Sequence, residues 1–315
     1  MPLIDLPLEQ LYTYLGRNPR PADFDAYWDR GLAELPDPQM ELKPATFHAA
    51  SADCFDLWFS GVGGAKIYAK YVRPRVDKPT PAILMFHGYS VSSGDWLDKL
   101  AWAAEGYHVL AMDCRGQGGK SEDSVAVKGN TLRGHIIRGL DDAPEKLLYR
   151  SVFLDTAQLA RIALSLDGVD ADHLYATGAS QGGGLSLACA ALEPRVSKVF
   201  SFYPFLCDYL RVWEMDQAKD AYDEIRAYFR LFDPTHSREK ETFERLGYID
   251  VQHLAPRIRA EVRMVTGLMD TITPPSTQFA AYNKITSPKE VILYPDFGHE
   301  GLPGAGDMMH AFFAK

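Results

Sequence analysis

Cysteine is scarce in this chain. Its four residues, Cys54, Cys114, Cys189 and Cys207, are scattered and form no Cys-x-x-Cys pair. Such scatter argues for free buried thiols in a reducing compartment, and a cytoplasmic location is expected. Long apolar runs are missing as well. None approaches the ~20 residues needed to cross a bilayer, so no membrane partner is expected. The opening Met1-Pro2-Leu3-Ile4-Asp5-Leu6-Pro7 has no basic stretch followed by an apolar one, and no signal peptide is expected. Basic tracts are absent: 33 Lys and Arg face 42 Asp and Glu, a net charge of −9. Nucleic acid is therefore not an expected partner. No internal repeat or low-complexity segment stands out.

What is present is hydrophobic residues at 46% of 315 positions, ample for a large core. Residues 1–45 read as mostly helical or irregular, with an amphipathic helix beginning at Asp23-Phe24-Asp25. Strand-like segments follow near 53–60 and 66–73, then at 81–86, 107–113, 174–177, 196–203, 261–267 and 291–294. Helical segments fall between them at 97–105, 147–166, 183–192 and 276–284, with a terminal helix at 308–313. A long irregular stretch occupies 120–144. Apolar strands alternating with helices indicate a mostly parallel sheet covered by helices on both faces. One domain over 1–315 is expected, with an N-terminal extension at 1–60 and a polar, aromatic helical insertion at 206–246. Functional loops in such sheets lie at the carboxyl ends of the strands, here 87–90, 115–119, 178–182, 268–274 and 296–301.

One of those loops carries Gly178-Ala179-Ser180-Gln181-Gly182, a G-x-S-x-G pentapeptide between a short apolar strand and a small-residue helix. This is the form of a nucleophile elbow, a sharp turn that lifts a serine oxygen clear of the backbone. Side chains on the flanking glycines would collide with neighbouring backbone. The helix that follows offers free N–H groups beside the serine.

A serine hydroxyl needs a base, and the base needs an acid to hold its tautomer. In α/β-hydrolases the chain order is serine, acid, histidine. Asp270 follows the strand at 262–267 and His299 follows the strand at 291–294, so Ser180, Asp270 and His299 have that order and placement. Asp296 is a rival acid but lies on the same strand exit as His299, and Glu300 is adjacent to the histidine. For the oxyanion hole, the backbone N–H of Gln181 is the expected first donor, and that of Tyr89, after His87-Gly88, the expected second. Three other patterns fail. Gly118-Gly119-Lys120-Ser121 ends like a phosphate loop, but Cys114 stands where its first glycine belongs. His299-Glu300 meets Pro303 where a zinc motif needs histidine, and Leu187 breaks a G-x-G-x-x-G pattern after Gly182. Taken alone, these residues reach a serine hydrolase and stop there.

Three motifs go further. Arg115-Gly116-Gln117, the Ser180 pentapeptide and His299-Glu300 occur together and in order, accompanied by Asp270-Thr271-Ile272-Thr273-Pro274-Pro275. In these the chain resembles, over essentially its whole length, the carbohydrate esterase family of acetyl xylan esterases and cephalosporin C deacetylases. The resemblance implies an α/β-hydrolase fold and a cytoplasmic enzyme without metal or organic cofactor. It implies removal of acetyl groups from small substrates, namely acetylated xylo-oligosaccharides and cephalosporin C. It also implies a homo-oligomer, a ring-like hexamer with active sites facing a central cavity. Arg115, Gly116, Gln117 and Glu300 are read as structural, with a buried Arg115–Glu300 ion pair expected to clamp the histidine loop to the sheet.

Overall fold

The computed structural model describes residues 4–128 and 134–314. Of the irregular stretch expected at 120–144, residues 129–133 lie outside the described residues, as do residues 1–3 and 315. Nine strands form a single sheet: β1 (Met40–Pro44), β2 (Ala52–Ser60), β3 (Lys66–Pro74), β4 (Thr80–Phe86), β5 (His108–Met112), β6 (Val169–Ala179), β7 (Val196–Phe202), β8 (Glu261–Gly267) and β9 (Lys289–Tyr294). Their order across the sheet is β1-β2-β3-β5-β4-β6-β7-β8-β9. The first three strands are antiparallel to their neighbours, and β4 through β9 run parallel.

Strand periodicity explains how both faces are covered. Along β4, Leu84 and Phe86 belong to one core, and Ile83 to the other. The first core is built with the helices Leu148–Ala163 and Gln181–Leu192, whose residues are almost all buried. The second is closed by Trp102, from the helix Leu97–Ala104, and by Phe312 and Phe313, from Ala305–Phe313. Fully apolar strands such as Ala82-Ile83-Leu84 follow from burial on both faces.

Two elements differ from the sequence expectation. Residues 40–44, placed in a helical or irregular region, form the edge strand β1, with Met40 opposite Phe59 and Leu42 opposite Leu57. Its face is mostly exposed, so no alternation marks it; pairing with β2 makes the strand. The elbow strand is longer than 174–177, starting at Val169, which pairs with Thr80 across an irregularity in register. The helix Phe24–Ala33 packs on the main body as expected: Trp28 is fully buried and donates its indole N–H to Tyr248 O at 3.1 Å. Between β7 and β8 lie the helices Tyr209–Glu214, Asp223–Phe232 and Glu239–Leu246. The amphipathic Asp223–Phe232 turns Ile225, Tyr228 and Phe229 inward.

Candidate active site

The carboxyl ends of β4, β6, β8 and β9 supply the site. At the end of β6, Ser180 takes φ 58° and ψ −118°, a conformation that a non-glycine residue holds only when its surroundings enforce it. The surroundings are visible. Ser180 N donates to Phe202 O at 3.0 Å, and Ser180 O accepts from Phe205 N at 2.9 Å. A Cβ on Gly178 would come within 2.5 Å of Phe86 O, and one on Gly182 within 2.0 Å of the same atom. The two glycines thus let the turn lie directly against β4. The helix Gln181–Leu192 starts immediately after, with the Gln181 N–H in its first turn. Among the described residues the Ser180 hydroxyl makes no hydrogen bond.

Asp270 sits three residues beyond β8, fully buried. Its Oδ1 accepts from Ile272 N and Thr273 N, each at 2.8 Å, and its Oδ2 accepts from Thr273 Oγ1 at 2.7 Å. The same Oδ2 lies 2.8 Å from His299 Nδ1. An ionised carboxylate only accepts, so the hydrogen is assigned to Nδ1, leaving Nε2 as an acceptor. The His299 ring rests on Tyr203, with ring centroids 4.5 Å apart. Asp296 and Glu300 are both exposed, and Glu300 Oε1 accepts from Gly298 N at 3.0 Å. Asp270, rather than Asp296 or Glu300, is therefore the carboxylate in contact with the histidine.

The expected Arg115–Glu300 pair does not form. Arg115 is 0% exposed and lies bidentate on Asp155, with Nε and one terminal nitrogen each 2.6 Å from a carboxylate oxygen. That terminal nitrogen also reaches Val62 O at 3.0 Å. Asp155 belongs to the helix Leu148–Ala163 beneath the sheet, so the arginine points into the core and not across the surface to the histidine loop. A planar guanidinium meeting a carboxylate edge-on is better satisfied there than by an exposed glutamate.

Gly116 follows with φ 67°, a left-handed turn that sends Gln117 back toward the elbow. Gln117 Nε2 donates to Gln181 Oε1 at 2.9 Å, while its Oε1 accepts from Ser90 N at 3.0 Å. One side chain thereby ties the loop after β4 to the residue after Ser180. Gln181 completes the tie: its Oε1 also accepts from Tyr149 OH at 2.7 Å, and its Nε2 lies 3.3 Å from both His87 O and Gly88 O. His87 accepts from Cys114 N at Nε2, 2.9 Å, which leaves Nδ1–H to donate to Gly88 O at 2.7 Å. Burial lowers its pKa and keeps it neutral. Tyr89 packs edge-on to Phe205 and against His135, and its hydroxyl donates to the buried carboxylate of Glu224. A cavity of about 390 Å³ opens next to the elbow, with Lys99, Trp102, Gly178, Ala179, Phe202 and Met309 in its walls. Ser180, Asp270 and His299 do not line it, so it lies beside these three side chains, not over them.

Sequence reasoning missed three contributors. Thr273 donates twice to Asp270, and an Asp followed by Thr three residues on was a turn signal that could have exposed it. Tyr203 and Glu224 come from segments without a motif. The arrangement can generate a serine nucleophile at the carboxyl end of β6, with a carboxylate-oriented imidazole at the same ends of β8 and β9.

A family model described as acetyl xylan esterase (AXE1) matches residues 1–315. Acetyl xylan esterase 1 from Thermoanaerobacterium sp. JW/SL YS485 shares 57% identity, with 98% of each chain covered and a TM-score of 0.97. The acetyl xylan esterase from Paenibacillus sp. R4 shares 35% identity over 98% of this chain and 99% of its own, with a TM-score of 0.93. Acetyl esterase Axe7A of Xylanibacter ruminicola is 26% identical over 283 residues, 87% of this chain. The chain spans 62% of the length of that curated relative. These matches agree with the α/β-hydrolase sheet and its helices on both faces, and the chain belongs to the acetyl xylan esterase family.

Proposed function

We propose that the protein is a serine esterase that removes acetyl groups from small acetylated substrates, acetylated xylo-oligosaccharides and cephalosporin C among them. Ser180 Oγ attacks the acetyl carbonyl carbon while His299 Nε2 takes its proton. Asp270 orients the imidazole and stabilises the imidazolium. The tetrahedral oxyanion is held by the backbone N–H groups of Gln181 and Tyr89. Collapse breaks the bond to the alcohol oxygen, which leaves with the proton from His299. Water, activated by the same histidine, then releases acetate from the acetyl-enzyme. The observation that carries this reading is the 2.8 Å contact of His299 Nδ1 with buried Asp270, on strand ends of the same sheet edge as the strained Ser180 turn. A serine–histidine hydrogen bond commonly tightens only once substrate is bound.

The family assignment and the two structural relatives named as acetyl xylan esterases support acetyl as the acyl group. The oxyanion loop must approach the carbonyl closely, which brings Tyr89 toward the acyl chain. In an open apolar pocket each added methylene would gain ~0.8 kcal/mol, whereas overpacking a closed one would cost ~1–3 kcal/mol. On nitrophenyl acetate, propionate, butyrate and octanoate, kcat/KM is expected to fall steeply beyond propionate. Peptide anilides are expected to be inert. A flat or rising profile out to octanoate would overturn the acetyl-esterase reading.

The four cysteines are free and buried, which supports a cytoplasmic setting. The family resemblance supports a hexamer, to be checked by light scattering of the purified protein: six chains per particle are expected, and a monomer would overturn the assembly.

A further inference from the structure

The loop after β4 holds an unfavourable backbone. Ser90 has φ 62°, so the residue next to Tyr89 sits in the left-handed region without being glycine. Such a residue is strained and persists only where neighbours fix it. Three side-chain ties do so. Gln117 Oε1 accepts from Ser90 N at 3.0 Å, the Ser90 hydroxyl lies 2.8 Å from His135 Nε2, and the Tyr89 hydroxyl donates to Glu224 Oε1.

Glu224 makes one of these ties directly and steadies the segment that makes another. Its second oxygen accepts from Ile137 N at 2.9 Å, anchoring the same segment that carries His135. That segment lies so close that a Cβ on Gly134 would fall 2.5 Å from Glu224 Oε2. The glutamate comes from the inserted helix Asp223–Phe232, far from Tyr89 in sequence, and is 6% exposed. Among the described residues its hydrogen-bond partners are the Tyr89 hydroxyl and the backbone N–H groups of His135, Ile136 and Ile137. Burial pushes its carboxyl up to about 7, and these donors draw it only part of the way back. A carboxylate held in that setting is more than a solubilising surface group.

We propose that Glu224 is a positioning residue for the esterase reaction, acting through the Tyr89 hydroxyl to fix the backbone that presents the Tyr89 N–H to the oxyanion. The inserted helix thereby completes a site whose other parts lie on the sheet. This rests on the proposed role of the Tyr89 N–H. Full removal of an oxyanion donor costs about 10²–10³ in kcat, and a displaced donor costs less. An interaction felt only in the transition state lowers kcat and leaves KM alone.

The test is a double-mutant cycle on nitrophenyl acetate hydrolysis with E224Q, Y89F and the double variant. Gln is nearly isosteric but has one acceptor where the carboxylate has two, so its NH2 must face either the Tyr89 hydroxyl or the Ile137 N–H. Each single variant is expected to lose roughly tenfold in kcat with KM within about twofold, and the double variant is expected to lose no more than the worse single one. Additive losses would overturn the proposal, since the two groups would then act separately. A wild-type kcat in E224Q accompanied by a lower Tm would also overturn it, leaving a purely structural glutamate. Should E224Q fail to fold, Y89F cuts the same contact from the other side, and wild-type kcat in Y89F overturns the proposal. An inactive wild type, by contrast, would remove the esterase reading itself.

Discussion

Around Ser180 the geometry rests on side chains that are missing, whereas around Asp270 it rests on donors that are present. The elbow is wedged: Gly178 and Gly182 let it touch Phe86 O, and the strained serine has nowhere else to go. Its flank is then laced by Gln117 and Gln181. The acid itself is held more locally, with Asp270 gathering Ile272 N, Thr273 N and Thr273 Oγ1 before it reaches His299, while the loop is pinned by Met269 N on Phe297 O. The lesson is one of locality. The acid side is stabilised by its own next three residues, and the serine side by residues drawn from β4, the Arg115 turn and the insertion. Damage to the serine side should therefore spread through the fold, while damage to the acid side should stay in the chemistry.

The largest effect separating the two sides is expected from Asp270→Asn. It should fold normally, with an unchanged Tm within a few degrees, yet lose about 10⁴-fold in kcat because asparagine favours the wrong histidine tautomer. Asp296→Asn, at an exposed position, should stay near wild type; the reverse pattern would name Asp296 as the acid.

Next comes the anchor of the serine side. Arg115→Ala strips a fully buried carboxylate, Asp155, of its bidentate partner. Breaking such a pair costs ~3–5 kcal/mol, so thermal unfolding should move down by many degrees or give way to aggregation. Glu300→Ala should leave Tm unchanged, since Glu300 is exposed and does not contact Arg115.

A pH experiment reads the insertion. Glu224 ionises ordinarily near 4.5 and in the folded protein near 7, so the native state holds its proton longer than the unfolded chain. Its contribution to stability is present below about 4.5 and is lost as pH rises through 7, an effect on the order of 3 kcal/mol. Glu224→Gln removes that titration. The Tm of wild type should fall more between pH 5 and pH 8 than that of E224Q, and parallel curves would contradict the assignment.

The smallest effect belongs to Thr273→Val. It deletes the hydroxyl bond to Asp270 but keeps the backbone donor at the same residue. The hydroxyl helps hold the Asp270 carboxylate against His299, so about a tenfold loss in kcat is expected with little change in Tm. A large drop in Tm would mean that the acid side is as distributed as the serine side.

Much of this was legible in the residues. The alternation of Leu84 and Phe86 with Ile83 announced a doubly covered strand, and G-x-S-x-G announced the elbow because sterics allow few alternatives there. Asp270 and His299 could be placed from strand order alone. The partner of Arg115 could not. Adjacency to the histidine favoured Glu300, but packing of a helix under the sheet delivered Asp155, and no local pattern encodes that. Glu224 was equally invisible, because its contact with Tyr89 depends on how the segment between β7 and β8 folds. The edge strand Met40–Pro44 escaped for a related reason: a partner strand makes it, not its own composition.

The central claim is that Ser180 is the nucleophile of an acetyl-transferring esterase. Its most direct test is the turnover of nitrophenyl acetate by purified Ser180→Ala beside wild type, with folding checked by circular dichroism. A fully folded variant retaining less than about a thousandth of wild-type kcat is expected, the residue of rate coming from the oxyanion donors and binding. Retention of more than a few per cent would contradict the assignment and return the search to another nucleophile.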